Sequence, residues 1–125
     1  MHQTISTNEA PAAVGPYSQA VVIDGLVFCS GQVGLDPASA TLIEGTIEDE
    51  TRLALRNLGA VLEAAGAGPV DVVKVTAYLT DISDFPQFND VYAEFFGDAR
   101  PARATVGVAE LPLGARVEVE CIAKL

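Results

Sequence analysis

An apolar stripe at helical spacing is the feature that most constrains this chain. Ile47, Thr51, Ala54, Leu55, Leu58, Val61, Leu62 and Ala65 recur every three or four residues, which in a helix puts them on one face. Thr46-Ile47-Glu48-Asp49 has the form of a capping box with acid in the first turn. Gly66, Gly68 and Pro69 stop the helix near Ala65. Gly59 inside it costs about 1 kcal/mol relative to alanine, so a close backbone neighbour is expected there. A long helix with a single apolar face must lie on something broad, and the segments around it supply a sheet.

Those segments alternate with period two. Residues 18–23 and 26–30 read as strands joined by Asp24-Gly25, a strong hairpin signal, with a short strand near residues 4–7. Gly15-Pro16-Tyr17 fixes the backbone before the hairpin. Ser30-Gly31-Gln32 ends it with a glycine that lets a ligand approach a backbone N–H, although a plain strand exit has the same composition. Residues 35–44, with Asp36-Pro37, are loop. Residues 71–80 form another strand with Val73, Val75, Ala77 and Leu79 on one face. A second helix starts at Ser83 or Asp84 and ends at Gly97; Phe85, Phe88, Val91, Tyr92 and Phe95 are its core face, and Asn89 reads as surface.

The last two strands carry the ionisable residues that stand out. After Arg100-Pro101, the residues Ala102, Ala104, Val106 and Val108 point one way as a packed face, while Arg103, Thr105 and Gly107 point the other. A guanidinium fork suits a carboxylate or phosphate held by two parallel hydrogen bonds; taken alone, the stretch is read more simply as a surface arginine paired with an acid. Leu111-Pro112-Leu113-Gly114 breaks the strand. In residues 116–125, Val117, Val119, Cys121 and Ala123 face inward, and Arg116, Glu118 and Glu120 share the opposite face. Carboxylates two apart on a strand repel unless something positive or protonated lies nearby. Direct pairing of these two strands would set Thr105 opposite Glu120 and Gly107 opposite Glu118. An intervening strand would part them by about 10 Å. The sequence leaves both arrangements open.

Composition removes several classes of function. A net charge of −10 with seven basic residues among 125 opposes binding to nucleic acid or an anionic membrane. No apolar run approaches the ~20 residues of a membrane span, and the start lacks a secretory pattern. The only histidine is His2, and Cys29 and Cys121 are far apart without metal-ligand spacing, so neither a zinc site nor a histidine triad is expected. The cysteines read as buried free thiols of a cytoplasmic protein. The length suits one domain, residues 1–125, with its own core.

Five elements, in order and in register, resemble a known family. Gly15-Pro16-Tyr17-Ser18-Gln19-Ala20-Val21, Ser30-Gly31-Gln32, Phe88-Asn89-x-x-Tyr92, Pro101-Ala102-Arg103 and Leu111-Pro112-x-Gly114-Ala115-x-Val117-Glu118-Val119-Glu120 are similar to the RidA (YjgF) reactive intermediate deaminases. The resemblance implies an α+β fold, a mixed sheet backed by two helices, similar to the Bacillus-type chorismate mutase and assembled as a homotrimer with ligand clefts between subunits. It implies hydrolysis of 2-iminobutanoate and 2-iminopropanoate, products of pyridoxal-phosphate-dependent dehydratases, to 2-oxo acids and ammonia, without cofactor or metal. By the same resemblance Arg103 holds the substrate carboxylate and Glu118 positions the attacking water. Tyr17, Ser30, Gly31, Asn89 and Thr105 line the cleft. Thr105 stands where several members have cysteine, and Glu50 where glutamine is common, the latter read as a surface difference. The chemistry agrees: an iminium carbon is already electrophilic, so the protein must orient the acid and accept a proton from water, and a glutamate in a poorly solvated cleft has its pKa raised toward a useful range. The alternatives are a non-enzymatic small-acid-binding or chaperone-like protein using the same cleft, and a ribonuclease, which the acidic surface opposes.

Overall fold

A computed structural model describes residues 2–125. Six strands, β1 (Gln3–Ile5), β2 (Ala20–Ile23), β3 (Leu26–Gln32), β4 (Val72–Leu79), β5 (Ala102–Gly107) and β6 (Val117–Lys124), and two helices, α1 (Ile47–Ala64) and α2 (Phe85–Phe96), make an α+β fold. The strands form one sheet in the order β1-β2-β3-β6-β4-β5. Every neighbouring pair is antiparallel except β4 and β5, which run parallel and so require a crossover connection, supplied by α2. The β2–β3 hairpin turns on Asp24 (φ 51°) and Gly25 (φ 75°), the doubly positive geometry that Asp-Gly favours.

Both helices lie on one face of the sheet. The stripe of α1 is buried from Ile47 to Leu62, against Val27, Val75, Ala77, Val117 and Val119, and Thr46 and Asp49 close the capping box. The close neighbour of Gly59 is the ring of Phe95 rather than backbone, 3.3 Å from where a Cβ would stand. The opposite face carries Phe28, Thr76, Tyr78, Val106, Glu118 and Glu120, and Phe28 and Val106 are exposed there. Large exposed apolar side chains on a flat sheet face mark an interaction surface.

Three further details differ from the sequence reading, and one point that it left open is decided. In β4 the buried set is Val72, Val75, Ala77 and Leu79, while Val73 is 49% exposed. The register passes from Val72↔Ala123 to Lys74↔Ile122, so Val73 is the extra residue of a bulge and leaves the face that plain alternation gives it. In β5 the faces are reversed: Arg103 pairs with Val75 and Thr105 with Ala77, which puts both on the helix side and leaves Ala102, Ala104 and Val106 on the open side. Direct pairing of β5 with β6 is also excluded, because β4 lies between them.

The third difference is Glu50, which is no surface residue: it is 0% exposed. Its carboxylate accepts the backbone N–H of Arg116 at 2.6 Å and of Val117 at 3.3 Å, and Arg116 Nε at 2.8 Å. Arg116 also donates to the Gly45 carbonyl at 2.8 Å, so it turns from the Glu118 face toward the start of α1. Gly34 fits against the stem and backbone of Glu50, since a Cβ there would stand 2.7 Å from Glu50 Cγ and 2.9 Å from its backbone oxygen. Asn57, also buried on the stripe, donates to the carbonyls of Val33 and Leu35.

Glu50→Ala should therefore lower the unfolding free energy by about 3 kcal/mol or more, because it leaves two backbone donors and a guanidinium unpaired. Thr46→Ala, which removes only the cap, should cost about 1 kcal/mol. Urea unfolding at pH 7 compares them; equal losses would mean that the Glu50 carboxylate adds nothing beyond a helix end.

Candidate functional site

The residues expected to act together fall into two groups on opposite faces of the sheet. The first surrounds Arg103. Its guanidinium lies 4.6 Å from the ring centroid of Tyr92, 5.4 Å from that of Phe85 and 5.9 Å from that of Phe88, held by cation–π attraction. Nη1 donates to Asn89 Oδ1 at 2.8 Å, so Asn89 orients the arginine rather than facing water as a plain helix-surface residue. The aromatics of α2 thus serve both as core and as the platform that aims the fork. Arg103 is exposed and lines, with Asn89, Tyr92, Arg100 and Pro101, a cavity of about 630 Å³.

Two buried hydroxyls in this region, Thr105 Oγ1 and Tyr92 Oη, have no hydrogen-bond partner. A buried polar atom without a partner is unusual enough to suggest that something else supplies one. Burial pushes the Tyr92 phenol pKa upward, and the charge of Arg103 pulls it back.

The second group surrounds Glu118. Between Cys29↔Cys121 and Gln32↔Val119 the register of β3 on β6 shifts, a bulge at Ser30-Gly31. Gly31 is required there: a Cβ on it would overlap the Glu118 carboxylate. Ser30 donates through Oγ to the Ser18 carbonyl at 2.6 Å, which ties the bulge to the segment carrying Tyr17. Tyr17 is 53% exposed and shares with Gly31 and Glu118 a cavity of about 500 Å³. Gln19 holds its wall in place, accepting from Thr7 N at 2.7 Å and donating to the carbonyls of Thr7 and Pro11. Sequence reasoning missed Gln19 as a support, although it stands inside the Gly15–Val21 motif.

Burial raises the Glu118 carboxyl above its ordinary pKa, and the neighbouring charge of Glu120 adds to the effect. Glu120 itself is engaged: Tyr78 Oη donates to Glu120 Oε1 at 2.5 Å, and that bond pushes the Tyr78 phenol up to about 12. Of the two carboxylates, Glu118 is the one left without a side-chain hydrogen bond among the described residues, and it lines the 500 Å³ cavity.

Within one chain, then, Tyr17, Gly31 and Glu118 come together, and Arg103, Asn89 and Thr105 come together, with Ser30 bracing the first group. β4 separates the two, by about 10 Å between strand axes. Cys29 and Cys121 are free, buried and opposite each other in the β3–β6 register. Among the described residues no cluster of three or more His, Cys, Asp or Glu could hold a metal ion, and no helix is long and apolar enough to cross a membrane.

Comparison with known proteins bears on both groups. The family model described as Endoribonuclease L-PSP matches residues 7–125. A 2-iminobutanoate/2-iminopropanoate deaminase of Bos taurus is 51% identical over 123 residues, covering 98% of this chain and 90% of the relative. The crystal structure of RidA from a Psychrobacter species superposes with a TM-score of 0.94 at 46% identity, over 98% of this chain and 99% of that one. The E. coli TdcF crystal structure with bound serine gives 0.94 at 38% identity, over 98% of each chain.

The raised Glu118 pKa has a consequence for stability. From the ordinary glutamate value, near 4.3, up to its own raised value, the folded state binds the extra proton. The contribution of Glu118 is therefore full below the ordinary value and is lost as pH rises through the raised one. Glu118→Gln removes the penalty at neutral pH and little in acid. Thermal unfolding should show the variant gaining on the parent at pH 7 but matching it near pH 3.5; an equal difference at both would contradict a desolvated carboxyl.

Proposed function

The chain belongs to the endoribonuclease L-PSP family, the RidA (YjgF) group of reactive intermediate deaminases, and from that premise we propose how its two groups of residues share one reaction. The reaction is hydrolysis of 2-iminobutanoate and 2-iminopropanoate to 2-oxo acids and ammonia. Arg103, oriented by Asn89 and the α2 rings, takes the substrate carboxylate through its fork, and the orphaned Thr105 hydroxyl donates to the same carboxylate. Glu118 accepts a proton from water as the oxygen attacks the C=N carbon and passes it to nitrogen; the new hydroxyl then gives its proton back to Glu118 as the C–N bond breaks and the C=O bond forms, so that ammonia leaves. Tyr17 covers the substrate, while Gly31 and Ser30 hold Glu118 in position. The protonated imine carbon is already electrophilic, so the sequence of steps needs neither a cofactor nor a covalent intermediate.

The observation that carries this reading is that each half lacks what the other holds. Arg103 offers a fork with no carboxylate beside it, and Glu118 offers a base with no anchor. A second copy can unite them by setting its Arg103 group against the Glu118 group of the first. Such a contact joins two different patches, and where it is head-to-tail it generates a ring if the rotation closes. We place three copies in that ring, each a single domain with its open sheet face turned inward, an assembly similar to the Bacillus-type chorismate mutase. Two reduced thiols accord with a cytoplasmic setting. RNA is a poor match for a chain of net charge −10, whatever the family's descriptive name.

Loss of the fork should weaken 2-oxobutanoate binding and kcat/KM by two or more orders of magnitude in Arg103→Ala, with partial recovery in Arg103→Lys. Arg56→Ala, on an exposed part of α1, is the control and should cost little. Glu118→Gln should lower kcat while 2-oxobutanoate still binds; binding with no turnover in the parent would favour the non-enzymatic reading instead. Sedimentation should give a homotrimer. Unfolding the Arg103→Ala and Glu118→Gln chains together in equal amounts and refolding the mixture should restore about a quarter of parental activity, the share of contacts that pair an intact Arg103 with an intact Glu118. A mixture as inactive as its components would place the site within one chain.

A further inference from the structure

Glu118 and Glu120 stand two residues apart on the open face of β6, about 7 Å along the strand. Two carboxylates so placed titrate as a pair. Over part of the pH range they hold one proton between them, and the one that takes it last is the one free to act as a base. Few other charged or titratable groups face them. β4 brings Tyr78, the register partner of Glu118, and further along Lys74. Lys74 lines a cavity of about 220 Å³ with Glu120 and makes no ion pair among the described residues. β3 brings Phe28 and Gly31 and no charge, and the segment before β2 brings Tyr17. Arg116 is turned away to Glu50. Arg103 of the same chain lies on the other face, and in the proposed ring the Arg103 of the adjoining copy stands across the substrate.

Tyr78 breaks the symmetry of the pair. It lies opposite Glu118 in register, yet its hydroxyl passes diagonally to Glu120 and donates to Oε1 at 2.5 Å. That diagonal is within reach of an aromatic side chain, and the length is that of a charge-assisted O–H···O⁻ bond. The phenol, pushed up to about 12 chiefly by this bond, keeps its proton wherever a carboxyl titrates. Glu120 is thereby held toward β4 as an acceptor, and no hydrogen bond joins it to Glu118 among the described residues. We propose that Tyr78 is a positioning residue of the reaction, which holds Glu120 as a fixed negative neighbour, directs the pair's proton to Glu118 and so selects Glu118 as the base. The proposal rests on the deaminase reading of the Glu118 site and names what sets its working range. Burial favours the neutral form of Glu118, and the charge of Glu120 adds to the effect. A carboxylate that holds a proton more firmly also takes one from water more readily. Released from the phenol, Glu120 competes for the proton, and a chain that carries it there has the weaker base at position 118.

The test follows kcat/KM for 2-iminobutanoate down its acid limb in the parent, Tyr78→Phe, Glu120→Gln and the double variant. The substrate's own titration is common to all four and cancels. Glu120→Gln removes the charge and should move the limb to lower pH; well down the limb, kcat/KM relative to its plateau should rise about threefold, the effect of one charge at this distance in well-solvated surroundings. Tyr78→Phe should move the limb the opposite way, with a fall of similar size. With Glu120 already replaced, the phenol has no charge to hold, so Tyr78→Phe should then leave the limb unmoved. Carbon-13 signals of the side-chain carboxyls, assigned with Glu118→Gln, should place the shared proton on Glu118 in the parent and divide it with Glu120 in Tyr78→Phe. A limb that Tyr78→Phe leaves in place, or moves equally in both backgrounds, overturns the proposal. So does an equal loss at every pH, which is what a merely structural tyrosine gives. If 2-iminobutanoate is not hydrolysed at all, the deaminase reading fails, and the carboxyl titrations still decide whether Tyr78 directs the proton.

Discussion

The carboxylate of Glu50 is the interaction on which the arrangement around the site depends. It sits in the first turn of α1 and accepts the N–H groups at the start of β6, so the entry of the helix and the entry of the strand are one unit. An acid in the first turn also meets the positive end of the helix dipole. Glu118 follows Val117 directly, so the bonds that fix the strand's entry also fix where its carboxylate points. Gly34 and Gly31 complete the arrangement from β3 and the segment after it, one making room for Glu50 and the other for Glu118. Two acids thus each lie against a glycine: one acid is neutralised by Arg116, and the other is the base of the proposed reaction.

In the proposed reaction, the separation of Arg103 from Glu118 follows from what each must remain. Side by side in one chain they would pair, the guanidinium would be saturated, and the carboxyl would be held below its ordinary pKa. A base of that kind takes up a proton poorly, and a fork already filled cannot take a substrate. The sheet prevents this by putting β4 between them and turning them to opposite faces. Arg103 is then aimed by aromatic faces and an amide, which orient a cation without neutralising it. Glu118 is raised by burial and by Glu120, while Tyr78 keeps Glu120 engaged elsewhere.

The elements were legible in the sequence wherever one local signal decided them. The capping box, the α1 stripe, the Asp24-Gly25 turn and the inward set of β6 all lie where periodicity and turn chemistry predict them. What failed depended on a partner distant in sequence. Alternation has period two only until a bulge intervenes, and Val73 is such a bulge. The faces of β5 depend on the strand beside it, so Arg103 and Thr105 appeared to lie away from the packed side until β4 was seen to flank them. Glu50 looked like a surface residue, and nothing local marked Asn57 as buried, because their partners, Arg116 and the carbonyls of Val33 and Leu35, lie far along the chain. The site residues came from five motifs in register; no property of a single residue marked them. Their division into two groups was not legible, because strand order is set by pairings that no short segment contains.

An anionic substrate approaching a chain of net charge −10 gains nothing from the long-range field, which salt screens beyond about 8 Å. Under the proposed function, capture must therefore come from short-range contacts in places where water is already excluded. Arg103 over its rings meets that requirement, and the unpartnered hydroxyls of Thr105 and Tyr92 supply donors whose burial has already been met in the folded chain. When a carboxylate arrives, it restores hydrogen bonds these groups lack, so little of its binding energy goes into reorganising the protein. A chain with few basic residues can thus use one of them, aimed from both sides, for binding without becoming a general anion trap.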